Sequence, residues 1–221
     1  MANKVEFEKV SVKFTERWYA LSNVSFTIKK GDFVFFVGPT GAGKTTILRL
    51  IYGDIFPAEG EVRVDGYPLK KISKKKLLEL RKGMGIVFQD LMLLEDRTVF
   101  ENLALPVRLK GDEDVMKKVV FGLKDVGLTY KSNDLVSSLS RGEQQRLALA
   151  RAMINEPELL LADEPFSNLH ANDIEWLIEK MKAYNELGVT ILLSTHNMDV
   201  IGKVPKARVF RIEEGRLKIE N

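Results

Sequence analysis

Five apolar residues, Phe33-Val34-Phe35-Phe36-Val37, run into Gly38-Pro39-Thr40-Gly41-Ala42-Gly43-Lys44-Thr45, and a helical pattern begins at Thr46. No other feature constrains the fold as strongly. The octapeptide has the form G-x-x-x-x-G-K-[ST], and between a buried strand and a helix start it forms a loop that cradles phosphate. Its glycines let backbone N–H groups close on phosphate oxygens where a side chain would collide. The helix behind it aims its N-terminus at the same anion. Lys44 would reach the β/γ-phosphates and the Thr45 hydroxyl would ligate Mg²⁺. The expected nucleotide-binding set is therefore Gly38, Pro39, Thr40, Gly41, Ala42, Gly43, Lys44, Thr45 and Thr46.

The rest of the chain sets bounds on that reading. Its 221 residues suffice for one large α/β domain, or for a core with a subdomain. A net charge of +3 is too small to argue for nucleic acid, and without cysteine there is no thiolate metal site and no cysteine nucleophile. No apolar run reaches the roughly 18 residues of a membrane span, and the first residues do not form a signal peptide. The expectation is a soluble chain that a partner would hold at any membrane where it acts. One segment, 69–82, carries Lys70, Lys71, Lys74, Lys75, Lys76, Arg81 and Lys82 against the single acid Glu79. It reads as a solvated helix face, or as one drawn to an anionic lipid surface.

Strand patterns occupy 5–14, 24–28, 61–66 and 86–88. Helical patterns dominate 98–154, with helices expected at 99–109, 113–126 and 142–154. Buried strands return at 158–162 and 189–194 around a helix at 172–186. A hairpin at 208–212 and 217–220 closes the chain. The order describes a β–α core, with a mainly parallel sheet, enclosing a helical insert.

Three strand ends carry chemistry. The apolar run 159–162 ends in Asp163-Glu164. A carboxylate at the carboxyl end of a core strand lies where ligands sit in open α/β sheets. Asp163 would hold Mg²⁺ through water, and Glu164 would orient or deprotonate an attacking water. His196 follows the next buried strand, where an imidazole can hydrogen-bond a γ-phosphate or the water. Gln89 follows 86–88, and its amide oxygen can touch metal and water without adding charge. At 139–146, Ser140 and Glu143 form a capping box, whose helix start with Gly142 is also an anion site. That segment lies in the helical insert, away from its own phosphate loop, so it would close over the ATP of another subunit.

Together these residues resemble an ABC-type ATPase over nearly the whole chain and in that family's order. Residues 38–45 resemble the Walker A loop, Gln89 the Q-loop, 139–144 the signature, 159–164 Walker B, 167–170 the D-loop and His196 the switch histidine. The resemblance implies one ATPase domain. Its nucleotide-binding core with an antiparallel β subdomain would span about 1–88 and 156–221, and its helical subdomain about 89–155. It further implies ATP and Mg²⁺ as ligands, and a head-to-tail homodimer in which Ser140 and Gly142 complete the partner's site. Phe14 matches the aromatic residue that stacks on adenine, with Tyr19 as the other candidate. Residues 87–102 are similar to the Q-loop region of the FtsE family, cell-division ATPases that pair with the membrane protein FtsX. That narrower likeness implies signalling to cell-wall hydrolases from the cytoplasmic face of the cell membrane. The FtsX-like partner would dock near 89–102, on exposed Leu91, Met92, Leu93 and Leu94. The ATPase of a lipoprotein-releasing or macrolide exporter shares much of this motif set, and a nucleotide-gated scaffold with little turnover is a reading of another class. Two positions depart from the family pattern: Arg141 stands for a second signature glycine, and His170 for the usual D-loop aspartate.

Overall fold

The computed structural model describes residues 2–15 and 18–220, with the side chains at 14, 15, 18, 219 and 220 excepted. In chain order the elements are β1 (Asn3–Thr15), β2 (Trp18–Lys29), β3 (Phe33–Val37), α1 (Lys44–Ile51), β4 (Glu59–Val64), β5 (Tyr67–Pro68), α2 (Lys74–Lys82) and β6 (Met84–Val87). There follow α3 (Val99–Lys110), α4 (Val115–Asp125), α5 (Arg141–Met153), β7 (Leu159–Asp163), α6 (Ala171–Glu186), β8 (Thr190–Thr195), β9 (Arg208–Glu213) and β10 (Arg216–Glu220). Several short 3₁₀ turns join them.

The strands that read as unbroken apolar runs lie in the middle of a six-stranded sheet, in the order β10-β9-β3-β8-β7-β6. Its strands are parallel except for β10, which returns antiparallel along β9. Both faces are covered, which is why alternation is absent from β3. Val34 and Phe36 point into one apolar cluster with α1 and the antiparallel strands; Phe33, Phe35 and Val37 point into another with α6. A second sheet, β2-β1-β4-β5, is antiparallel and packs on the first through Phe26. The Phe26 ring lies 5.7 Å from that of Phe36 and 5.2 Å from that of Phe210. Helices α3, α4 and α5 gather a third cluster around Leu103, Val119, Leu123 and Leu147. Thr98 and Ser140 start α3 and α5 with full capping boxes.

Parallel register brings four carboxyl ends to one edge. Val37 pairs with Thr195, Asp163 with Ser194, and Val87 with Ala162. The phosphate loop, Gln89, Asp163-Glu164 and His196 all leave the sheet from this edge.

Several strand limits differ from the sequence reading, two of them for a clear reason. Residues 65–66, read as the end of a strand, are a turn: Asp65 and Gly66 have φ of 49° and 78°, the paired positive values of a tight hairpin between β4 and β5. β2 begins at Trp18 rather than at 24, because β1 pairs with it along almost its full length. The basic segment is helical over Lys74–Lys82. Lys70, Lys71, Lys74, Lys75 and Lys82 are exposed, while Arg81 donates to the carbonyls of Tyr52 and Gly53, both at 2.8 Å.

Candidate nucleotide site

The phosphate loop is shaped by two close approaches. A Cβ on Gly38 (φ 153°) would stand 2.1 Å from the carbonyl oxygen of Ile212 in β9. One on Gly43 (φ 110°) would stand 2.5 Å from the carbonyl oxygen of Ala20 in β2. Only glycine fits either place. Lys44, 5% exposed, donates from Nζ to the carbonyls of Gly38 at 2.8 Å and Pro39 at 3.1 Å. Its third neighbour is Oε1 of Glu164, at 3.1 Å. A buried ammonium is tolerated because carbonyls and a carboxylate surround it.

The carboxylates follow from β7. Thr45 Oγ1 donates to Asp163 Oδ1 at 3.1 Å, and Ser194 Oγ donates to the same oxygen. Glu164 turns out of the strand with φ 45°, and its N–H is held by Ser194 through Oγ at 2.9 Å and the carbonyl at 3.2 Å. This bend swings the Glu164 carboxylate away from the sheet. Oε2 lies 2.8 Å from His196 Nδ1 and accepts the His196 backbone N–H at 3.3 Å. Glu164 thus stands between the loop lysine and the histidine at the end of β8.

A cleft of about 220 Å³ opens over this group. Thr40, Gly41, Gly43, Lys44, Thr45 and Thr46 line it from one side; Gln89, Glu164, Ser167 and His196 line it from the sheet edge, with Ala20 at its margin. Gly38, Pro39 and Ala42 shape the loop without lining the cleft, and Asp163 stands behind Thr45. Phe14 lies in β1, but its side chain falls outside the described residues. Tyr19 is exposed next to Ala20, with Lys13 Nζ 5.1 Å from its ring centre. Ser140 and Gly142 are not among the lining residues. Ser140 caps α5: its Oγ accepts from Glu143 N at 3.3 Å and its N–H donates to Glu143 Oε2 at 2.9 Å. Burial acts to raise the Glu143 carboxyl, but the Ser140 hydrogen bonds and Lys131 prevail and hold it below its ordinary value. Gly142 is buried where a Cβ would meet the Asp173 carboxylate at 2.6 Å, so the starts of α5 and α6 are in close contact. His170 is exposed at the N-cap of α6 and makes no side-chain cap bond.

The Q-loop segment corrects one expectation. Leu91, read as exposed, is 2% exposed and packs in the cluster on the α6 side of the sheet. Leu93 is half-buried against that cluster and the helical one, and only Met92 and Leu94 are exposed. The cause is a chain reversal. Leu91 and Met92 have φ of 60° and 50°, left-handed values that cost a non-glycine residue about 1–2 kcal/mol each, and the bend turns Leu91 inward. Three side chains from the helices hold the segment. Arg141 Nη2 donates to the Gln89 carbonyl at 3.4 Å. Arg151 donates to the carbonyls of Met92 and Leu91, both at 2.6 Å. Buried Asn102 donates to the Leu94 carbonyl at 3.0 Å and accepts its N–H at 2.9 Å.

Ser194 is a site residue that motif reading passed over, and Ser167, read only as the start of the D-loop, lines the cleft as well. Ser194 had a signal, since it precedes Thr195-His196 at the end of a buried strand. Ala20 and Arg151 had none, because their contacts reach the site from distant parts of the chain.

The donor set also suits Mg²⁺. Thr45, Asp163 and Gln89 each offer an oxygen ligand, and Mg²⁺ takes one or two carboxylates together with substrate phosphates and water. Among the described residues no three His, Cys, Asp or Glu side chains are arranged to hold a metal ion by themselves, so a metal here would depend on phosphate oxygens for the rest of its shell.

A phosphate loop on a mainly parallel sheet, acidic and imidazole groups at the neighbouring strand ends, and a three-helix insert define a P-loop nucleotide hydrolase. Within that class, the chain belongs to the ABC transporter family, whose pattern matches residues 21–167. It is an ATP-hydrolysing cassette. Over 215 residues it is 38% identical to the cell division ATP-binding protein FtsE of Streptococcus pneumoniae serotype 2 (strain D39), covering 96% of this chain and 93% of that one. FtsE of Escherichia coli K12 is 36% identical over 96% of each chain. A dimeric structure of the ATP-binding cassette MJ0796, in a post-hydrolysis state bound to ADP and Pi, superimposes with a TM-score of 0.88. It is 33% identical, over 98% of both chains.

Proposed function

We propose that this chain is the ATP-hydrolysing subunit of an FtsE-like cell-division complex, coupling ATP-driven dimerisation to an FtsX-like membrane partner that controls cell-wall hydrolysis. One observation carries the catalytic part: Glu164 lies between Lys44 and His196, 3.1 Å from one and 2.8 Å from the other. The likeness to FtsE along almost the whole chain supports the cellular part.

In this reading, Lys44 and the loop N–H groups bind the phosphates, and arrival of the phosphate anion competes with Glu164 for Lys44. The released Glu164 carboxylate takes the proton of the attacking water, within a partly buried site where such a base is effective. His196 steadies Glu164 and supports the γ-phosphate. Thr45, Gln89 and Asp163 would hold Mg²⁺, which when bound neutralises phosphate charge. Ser140 and Gly142 serve the site of a second copy of the chain; their place outside this chain's own cleft supports that, as does the dimeric relative. Tyr19, exposed beside the cleft margin, is available to an adenine ring.

The separate apolar cluster of α3, α4 and α5 supports the division into a nucleotide-binding core and a helical subdomain. No helix among the described residues is long and apolar enough to cross a membrane. Attachment at the cytoplasmic face would therefore run through the partner, with Met92 and Leu94 as the exposed apolar contacts in its docking segment. The exposed lysines of α2 suit an anionic surface there.

Glu164→Gln is expected to abolish most steady-state ATPase activity and to accumulate an ATP-bound dimer on size-exclusion chromatography. Near-native turnover would remove Glu164 as the base. Affinity capture of the tagged chain from detergent-solubilised membranes tests the partner: recovery of an exporter permease in place of a cell-division membrane protein would overturn the FtsE-like role.

A further inference from the structure

The helix that begins with the signature residues also grips the Q-loop. α5 starts at Ser140-Arg141, and Arg151 lies near its other end, about 15 Å along the axis. The Arg151 guanidinium forks onto two consecutive carbonyls, those of Leu91 and Met92, at 2.6 Å each. Burial pushes its pKa down, and no carboxylate among the described residues lies within ion-pair distance, so a charge is kept in a partly buried place for the sake of two neutral oxygens. Those oxygens belong to the two left-handed residues, which need an outside constraint to stay in that conformation. Two residues upstream, Gln89 lines the nucleotide cleft, and its carbonyl is met by Arg141 from the first turn of α5. Gln89 itself leaves the sheet just beyond β6, with no side-chain hydrogen bond of its own among the described residues.

We propose that Arg151 is a positioning residue for ATP hydrolysis: by clamping the Leu91 and Met92 carbonyls to α5, it fixes where Gln89 presents its amide to the metal and the attacking water. The signature end of α5 and the Gln89 backbone then move as one body. When a second copy's nucleotide engages Ser140, the displacement of α5 reaches Gln89 of the same chain through Arg151. Lysine cannot replace it, because a single ammonium lacks the planar fork that spans two carbonyls. The inference rests on the reading of Gln89 as a site residue.

The test is a double-mutant cycle on the full chain with Arg151→Lys and Gln89→Ala. Arg151→Lys is expected to lower kcat by about 10–100-fold, the usual effect of losing an outer partner of a metal ligand. KM for MgATP should rise by no more than the Mg²⁺ contribution to affinity, since Lys44 and the loop are untouched. Mg²⁺ should also lose its effect on the affinity for a fluorescent ATP analogue, to the same degree as in Gln89→Ala. Binding of the analogue without Mg²⁺ remains native in Arg151→Lys and reports that its fold is intact. The doubly substituted chain should be no slower than Gln89→Ala alone. Multiplied losses in the double variant, or native kcat in Arg151→Lys, would overturn the coupling. Native kcat and native Mg²⁺ response in Gln89→Ala would remove the Gln89 role itself, and the proposal with it.

Discussion

At the scale of single residues, the phosphate loop is governed by what its neighbours forbid. Gly38 sits against Ile212 and Gly43 against Ala20, at distances no Cβ tolerates. Gly43→Ala should therefore lower stability by about 1–3 kcal/mol and abolish ATP-analogue binding, measured by thermal unfolding and fluorescence titration. Each glycine could be read from the motif, but the surfaces they meet could not: Ile212 comes from the last parallel strand, Ala20 from the other sheet. The same separation explains why Glu164 was legible and its bend was not. An acid after an apolar strand is a local pattern. The left-handed turn that aims it depends on Ser194, contributed by β8. The Q-loop run of four apolar residues shows the limit most plainly. Composition marks it as a docking surface, whereas two positive φ angles bury one leucine and half-bury another.

Among the elements, the helices of the insert depend on their first turns. Thr98 accepts Glu101 N at 3.1 Å, and Glu101 accepts Thr98 N at 2.8 Å, which starts α3 cleanly after the irregular Q-loop segment. Thr98→Ala should cost about 1 kcal/mol, a loss of roughly 2–4 °C in Tm. The Thr98 N–H holds the Glu101 carboxyl below its ordinary 4.5. A folded pKa below the unfolded one stabilises above the unfolded value, and the gain disappears as pH falls through the folded value. Acid unfolding curves of Glu101→Gln should accordingly lie closest to those of the native chain at the lowest pH, separate as pH rises towards about 4.5, and stay fully apart above it. Capping boxes are legible because Ser or Thr and Glu three residues on form a local signal; the strand at 61–66 was misplaced because Asp65-Gly66 served equally as strand end and hairpin turn, and only pairing with β5 decides.

For the molecule as a whole, ligand binding and stability are linked. At MgATP concentrations about 100 times Kd, the native chain gains roughly 2.7 kcal/mol, which should raise Tm by about 5–10 °C. A thermal scan with Lys44→Ala, which removes the loop's cation, should show almost none of that rise. The sheet order carries one more consequence. β3, which ends in the phosphate loop, is flanked by β8 and β9, both drawn from the last part of the chain. As the chain leaves the ribosome, α3, α4 and α5 emerge as a contiguous stretch with its own apolar cluster, while β3 waits for both neighbours. The loop that binds the phosphates is thus synthesised well before the two strands that flank its own, and the pocket around it closes only once they have arrived.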